Sequence, residues 1–372
     1  MMIHFNTAGS GLMSAETLKL MQRYLQDEFE SGAYETELNY SAVLDVEVYE
    51  NIARLLGTDA RNVALFDGAT KAWVTALEAL DWSEGARVLV TPYEYAGNLI
   101  ALATLQRLYG VVVEVMPLLA EGNLDLPWLA RHMSAEVKLV SIVHVPSCCG
   151  IVNDIEAVGH ILRDYPAWYF VDACQSAGML ALDVRAAGCD VLTAAGRKFL
   201  CGPRGTGFAY LSDRFLATAQ PRFTDLGRAT VDASGVVTRG MGDARCFEYA
   251  ERNNAAVVGL NQAIKERLSS AYGTESELYR ALFRRLADTP GVNLIAPGTE
   301  HQGIIAFTHE RCSATEVVSY LRARGINAWP GYAAHTPYFM LQHGHQRFVR
   351  VSINARNSAQ EVDEFIALLS EL

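Results

Sequence analysis

Tyr169-Phe-Val-Asp172-Ala-Cys-Gln175-Ser-Ala-Gly178 runs from an apolar stretch into a carboxylate and then into a short polar turn. A run that is apolar at every position, not at alternate ones, describes a strand buried on both faces, as in parallel sheets covered by helices. A carboxylate at its end sits on the C-terminal edge of the sheet, where α/β proteins gather functional groups. The same pattern repeats on either side. Runs at 62–66, 87–91, 111–115, 138–145, 168–172, 190–194 and 207–211 alternate with helical stretches such as 70–82, 95–108 and 154–165. This alternation predicts an α/β domain with right-handed crossovers and a mainly parallel seven-stranded sheet.

Past residue 211 the pattern changes. A glycine-rich stretch, 224–242, leads to a helix over 254–270. Helix 276–287, strands 292–296 and 303–308, helix 314–324, strand 348–353 and helix 359–372 then describe a small α+β unit. The expected organisation is an N-terminal segment (1–20) that packs with the small domain and the active site, a large α/β domain (21–252) and a small C-terminal domain (253–372), with a ligand site where the two domains meet.

Composition narrows the function. The chain has 372 residues, 50% hydrophobic and 20% charged, which is globular material for about two domains. Its net charge of −11 argues against nucleic-acid and anionic-membrane partners, which require a basic face. No uncharged apolar run reaches the ~18 residues of a membrane helix. The first ten residues lack the basic-then-apolar pattern of a leader. Seven cysteines, an odd and scattered set, read as reduced thiols of a cytoplasmic protein.

Three stretches carry chemistry. Asp172 either caps the following helix or points a charge into a site, with Gln175 in the same turn. Lys198 follows Asp172 by 26 positions, in Ala194-Ala-Gly-Arg197-Lys198-Phe-Leu-Cys-Gly-Pro-Arg204-Gly-Thr-Gly207. A lysine among apolar and glycine residues is a Schiff-base former if it is desolvated, and otherwise a solvated loop residue. The glycine-rich string 202–207 precedes a strand, so it fails the context of a dinucleotide loop. Asp67-Gly68-Ala69-Thr70-Lys71 joins a strand to a helix, and its backbone N–H groups form either an ordinary cap or an anion site. His335, His343 and His345 have no metal-ligand spacing, and no metal is expected.

At this spacing the three elements resemble class V of the fold-type I pyridoxal-phosphate enzymes, the group of cysteine desulfurases, C–S lyases and epimerase-like proteins. The resemblance runs from Asn6-Thr-Ala-Gly-Ser10 to the last helix. It implies pyridoxal 5'-phosphate as cofactor, held covalently by Lys198. Asp172 is then the partner of the pyridine nitrogen and Gln175 that of the phenolic oxygen, while Gly68, Ala69 and Thr70 hold the phosphate. Tyr95, where the family usually has histidine, would stack on the ring. In Phe348-Val-Arg350-Val-Ser352, Arg350 is the counterpart of the arginine that grips the substrate carboxylate. Asn6 and Ser10 belong to a loop closing over an amino-acid substrate. The resemblance also implies a homodimer that shares its active sites.

Departures from the family pattern guide the choice of activity. Ala195 stands where a phosphate-binding serine is common, Arg197 replaces a histidine, and Ser147 takes the place of an asparagine near the ring. Phe247-Glu-Tyr-Ala-Glu251-Arg252-Asn253 replaces a Gly-Thr element, leaving Arg252 to reach substrate or phosphate across a dimer interface. A desulfurase needs a mobile thiol ahead of the carboxylate arginine, but Trp329-Pro-Gly-Tyr332-Ala-Ala-His335-Thr-Pro-Tyr338 contains none. The pattern is similar to the branch around hercynylcysteine-sulfoxide C–S lyases. That implies β-elimination from a cysteine conjugate to pyruvate and ammonia, with Lys198 removing the α-proton and Tyr332 or His335 protonating the sulfur. Ser10, Tyr34, Tyr332 and Arg252 would set specificity. Transamination, epimerisation, decarboxylation and desulfuration remain alternatives within the class, and a non-catalytic ligand-binding scaffold is the alternative outside it.

Overall fold

In a computed structural model, which describes residues 2–240, 242–274 and 276–372, the seven expected strands form one sheet. Their order across it is Val63–Phe66, Gly207–Leu211, Val191–Ala195, Trp168–Asp172, Val137–Val143, Arg87–Val90 and Val112–Val115. Gly207–Leu211 runs antiparallel to both neighbours, and the other pairings are parallel. Every residue of Val63–Phe66, Val191–Ala195 and Gly207–Leu211 is buried, whereas the edge strand Val112–Val115 is exposed at both ends.

Helices cover both faces. Ala69–Glu78 buries Ala72, Trp73, Ala76 and Leu77, a stripe at helical spacing, and sets Trp73 edge-on against Phe170 with ring centroids 6.1 Å apart. Ile155–Leu162 begins where the Asp154 side chain accepts from the N–H of Ala157 at 2.9 Å. The fold is therefore the expected α/β arrangement, with a mainly parallel sheet and a smaller C-terminal unit.

That smaller unit is an antiparallel sheet in the order Val292–Ile295, Ile304–His309, Arg347–Ser352, Trp329–Tyr332. Helices Ser276–Ala287, Ala314–Ala323 and Ala359–Leu369 pack on it around Leu282, Phe307, Val317, Val349 and Phe365. The chain's beginning joins this unit: Ile3–His4 pairs with Ile326–Asn327, and Phe5 packs edge-on against Phe365 at 5.3 Å. The helix Asn254–Leu268, just past residue 253, lies instead against Ala15–Ser31 and Val48–Leu56, and places Val257, Leu260 and Ile264 in the larger unit's core. Trp329–Tyr332, given no strand from sequence, is an edge strand. The stretch 224–242, expected to be poor in strands, carries a short hairpin of Ala229–Val231 and Val237–Arg239.

Candidate active site

A cavity of about 380 Å³ opens at the C-terminal ends of the parallel strands. The strand Trp168–Asp172 brings Asp172 to it, and the loop after Val191–Ala195 brings Arg197 and Lys198. The turn before Ala69–Glu78 contributes Gly68, Ala69 and Thr70, while Tyr95, Ser147 and Gln175 complete the set expected from sequence to hold the cofactor. A larger groove of about 1510 Å³, lined by Met179, Leu180, Tyr279 and Arg280, lies elsewhere and holds none of these residues.

Asp172 is buried and does not cap a helix. Its Oδ1 accepts from the N–H of Cys174 at 2.9 Å, and its Oδ2 accepts from the Asn98 amide at 3.3 Å. Behind Asn98 lies Glu94, fully buried, which accepts from the same amide nitrogen at 2.7 Å and from the Ser141 hydroxyl at 3.1 Å. Burial, opposed by these donors and reinforced by the charge of Asp172, raises the Glu94 carboxyl to about 7. Gln175 donates from Nε2 to the carbonyl of Ala8 at 3.2 Å, and its buried Oε1 has no partner among the described residues.

The opposite end of the cavity suits an anion. The first hydrogen bond within Ala69–Glu78 is from Ala72 N to Gly68 O, 3.1 Å, so the N–H groups of Ala69, Thr70 and Lys71 precede the helical ladder. Gly205 and Thr206 line the same end. The strand Gly207–Leu211 approaches the turn so closely that a Cβ on Gly207 would lie 2.6 Å from the carbonyl carbon of Gly68.

Arg350 is buried next to this cavity, not in its wall. It donates to the carbonyl of Ser147 at 3.1 Å and to Asn6 Oδ1 at 3.2 Å, while its Nε has no partner among the described residues. Burial lowers its pKa to about 10, the charges of Cys148 and Tyr95 opposing the shift and that of Arg197 adding to it. Arg197 donates to the carbonyl of Gly9, and Gly11 N binds Arg197 O at 2.8 Å, which fastens the N-terminal segment over the lysine loop.

Asn6, Ser10, Tyr332 and Arg252, like Arg350, stand outside the cavity wall. Ser10 is exposed and its carbonyl faces the His4 ring. Tyr332 lies on the edge strand, its ring 6.0 Å from His335. Arg252 is engaged within its own chain, with the Tyr49 hydroxyl at 2.9 Å, the Leu44 carbonyl at 3.1 Å and Asp45 at 3.6 Å. Sequence reasoning missed Glu94, Asn98, Thr206 and Thr336. For the first two, the Glu-Tyr-Ala-Gly-Asn spacing after a strand was the available signal, since it places Glu94 and Asn98 one helical turn apart.

The cavity thus has an anion end, a buried carboxylate, an amide oxygen without a partner among the described residues, a lysine and a neighbouring guanidinium whose Nε is free among those residues. These residues fit a phosphorylated heteroaromatic aldehyde together with an amino acid. Among relatives, the cysteine desulfurase of Salmonella newport (strain SL254) is 28% identical over 295 residues, covering 77% of this chain and 71% of the relative. The apo cysteine desulfurase of Thermococcus onnurineus NA1 matches with a TM-score of 0.90 and 23% identity, over 100% of this chain and 94% of its own. The cystine C–S lyase C-DES, solved with its reaction product cysteine persulfide, gives a TM-score of 0.89 and 21% identity over 100% of this chain and 97% of its own. A variant of C-DES has been solved with glycine covalently linked to its PLP cofactor. At these identities the structural likeness establishes the fold. The sequence model described as Aminotransferase class-V matches residues 3–365, nearly the full length, and the chain belongs to that family.

Proposed function

We propose that the cavity holds pyridoxal 5'-phosphate and that the protein is a lyase that cleaves the C–S bond of a cysteine conjugate by β-elimination. Lys198 would hold the cofactor covalently, and Asp172, Gln175 and Tyr95 would serve its ring nitrogen, its phenolic oxygen and its ring face. The turn Gly68-Ala69-Thr70 takes its phosphate. When bound, the cofactor supplies an electron sink for negative charge at the substrate α-carbon.

The chain's own residues do the rest. Arg350 binds the substrate carboxylate, with Ser147 and Asn6 fixing the guanidinium plane. Lys198 takes the α-proton as general base. The Cα–Cβ double bond then forms as the Cβ–S bond breaks, and the bond's electron pair leaves with sulfur. Lys198 returns its proton to that sulfur, and hydrolysis of the remaining enamine gives pyruvate and ammonia.

One observation favours elimination over desulfuration. A desulfurase attacks the substrate sulfur with a thiolate. The thiol that lines the cavity is Cys174, and burial, with the charge of Asp172 adding to it, pushes its pKa up to about 12. Cys148, Cys149 and Cys201 are buried, and the stretch 329–338 carries no thiol. The second reading, a cysteine desulfurase, is favoured by the position of Cys174 and by the relatives' names.

Product analysis separates the two. With cofactor-loaded protein and a panel of L-cysteine, L-cystine, S-alkyl cysteines and their sulfoxides, elimination yields pyruvate in step with the sulfur product. Alanine without pyruvate, abolished by Cys174→Ser, overturns the lyase reading in favour of the desulfurase.

We also propose that the protein is a homodimer. Phe29, Tyr34, Leu38, Phe223 and Leu226 are each at least 70% exposed, a set of large apolar side chains that a second copy would cover.

A further inference from the structure

The carboxylate of Asp172 does not stand alone. A single amide nitrogen, Asn98 Nδ2, lies 2.7 Å from Glu94 Oε1 and 3.3 Å from Asp172 Oδ2, so its two hydrogens serve one carboxyl group each. Glu94 is held from three elements. The Asn98 amide comes from the helix Ala96–Tyr109, the Ser141 hydroxyl from the strand Val137–Val143 and the N–H of Tyr95, at 3.3 Å, from the preceding turn. All four groups, Glu94, Asn98, Ser141 and Asp172, are buried. The charge acting on Glu94 is that of Asp172, from the end of Trp168–Asp172; Asn98 and Ser141 do not titrate.

A fully buried carboxyl without a cationic partner is costly when ionised, and a second carboxylate nearby adds to that cost. Nothing in the elimination reaction requires Glu94. An apolar residue would fill the space between helix and strand without that penalty, so its presence calls for a role exerted through Asn98.

We propose that Glu94 is a positioning residue that acts through Asn98 on Asp172, and that its ionisation sets how tightly the cofactor's ring nitrogen holds its proton. This rests on the reading of the cavity as a pyridoxal-phosphate site. With Glu94 protonated, Asn98 is free to orient Asp172 Oδ2 and the site carries one negative charge. With Glu94 ionised, the same amide is drawn between two carboxylates, and the second charge raises the proton affinity of any basic nitrogen that Asp172 faces. The balance is one proton gained or lost at Glu94, exchanged with solvent. Burial places that step near neutrality.

The test follows the cofactor and not turnover. Holoprotein is loaded with ring-¹⁵N-labelled cofactor, and the ¹⁵N chemical shift and the cofactor absorbance are recorded across pH for wild type, Glu94→Gln and Asn98→Ala. The wild type should show an inflection near neutrality in both signals. Glu94→Gln should lose it because the titrating group is gone, and Asn98→Ala should lose or weaken it because the bridge is gone. Wild-type protein that takes up no cofactor overturns the reading of the cavity, and this inference with it. Wild-type protein that takes up cofactor but shows no inflection, or an inflection that both variants retain, overturns this inference alone. If Glu94→Gln does not fold, the comparison of wild type with Asn98→Ala decides.

Discussion

Arg350 shows how one residue can be unfavourable for stability and favourable for function. Its guanidinium is buried with a carbonyl and an amide oxygen for company and no carboxylate, so the folded chain carries an isolated charge awaiting an anion. Breaking up such a charge relieves desolvation. Arg350→Met should therefore raise the melting temperature of the cofactor-free protein while raising the substrate Kd roughly 100-fold, about 3 kcal/mol, the value of charge-assisted hydrogen bonds. A variant that is destabilised and still binds substrate normally contradicts the assignment. Glu94 supplies the pH dependence. Its folded value, about 7, lies above its ordinary 4.5, so the associated stability is complete below 4.5 and is lost as pH rises through 7. Glu94→Gln should gain on wild type between about pH 5 and about pH 8, by about 3 kcal/mol at most, as read by urea denaturation of the cofactor-free proteins. A constant difference across that range would contradict the buried ionisation. Lys198, Asp172 and Gln175 were legible in the sequence because their chemistry and spacing are local. Glu94 and Asn98 were not, because their meaning depends on Ser141 and Asp172 arriving from other strands.

Strands and helices were legible where burial is two-sided. All seven runs of the large sheet are strands because continuous apolar sequence between helical stretches has few other solutions. Trp329–Tyr332 was missed because Pro330 argues against a strand; the structure accommodates it at a sheet edge, where Trp329–Tyr332 pairs only with Arg347–Ser352. The hairpin at Ala229–Val231 and Val237–Arg239 was missed because it buries little and so leaves no periodic apolar signal. The close approach of Gly207–Leu211 to the turn at Gly68 couples the sheet to the anion end of the cavity. A methyl group at Gly207 must push that turn, and Ala69 N, 2.8 Å away, moves with it. Gly207→Ala should therefore weaken cofactor affinity at least tenfold, measured by fluorescence titration of the apoprotein. Unchanged affinity would show that the turn does not hold the phosphate.

In the molecule as a whole, the N-terminal segment crosses from the smaller unit to the larger one. It pairs with the small unit through Ile3–His4, then binds the lysine loop through Gly9 and Gly11. Composition indicates two units and an acidic surface; that the first residues pack with the small unit and the site was expected from the family resemblance alone, since a two-residue strand leaves no signature of its own. The exposed apolar side chains predict that sedimentation equilibrium finds twice the 40.8 kDa of the chain. A monomer at micromolar concentration would contradict the dimer. The central claim, that this cavity is built around a cofactor carried by one lysine, is tested most directly by hydride reduction of the loaded protein followed by peptide mass mapping. The chain has five lysines, and of these Lys198 lines the cavity. The account predicts the mass of the reduced cofactor on the Lys198 peptide and its loss in Lys198→Ala. An unmodified Lys198, or the added mass on Lys19, Lys71, Lys138 or Lys265, would contradict it.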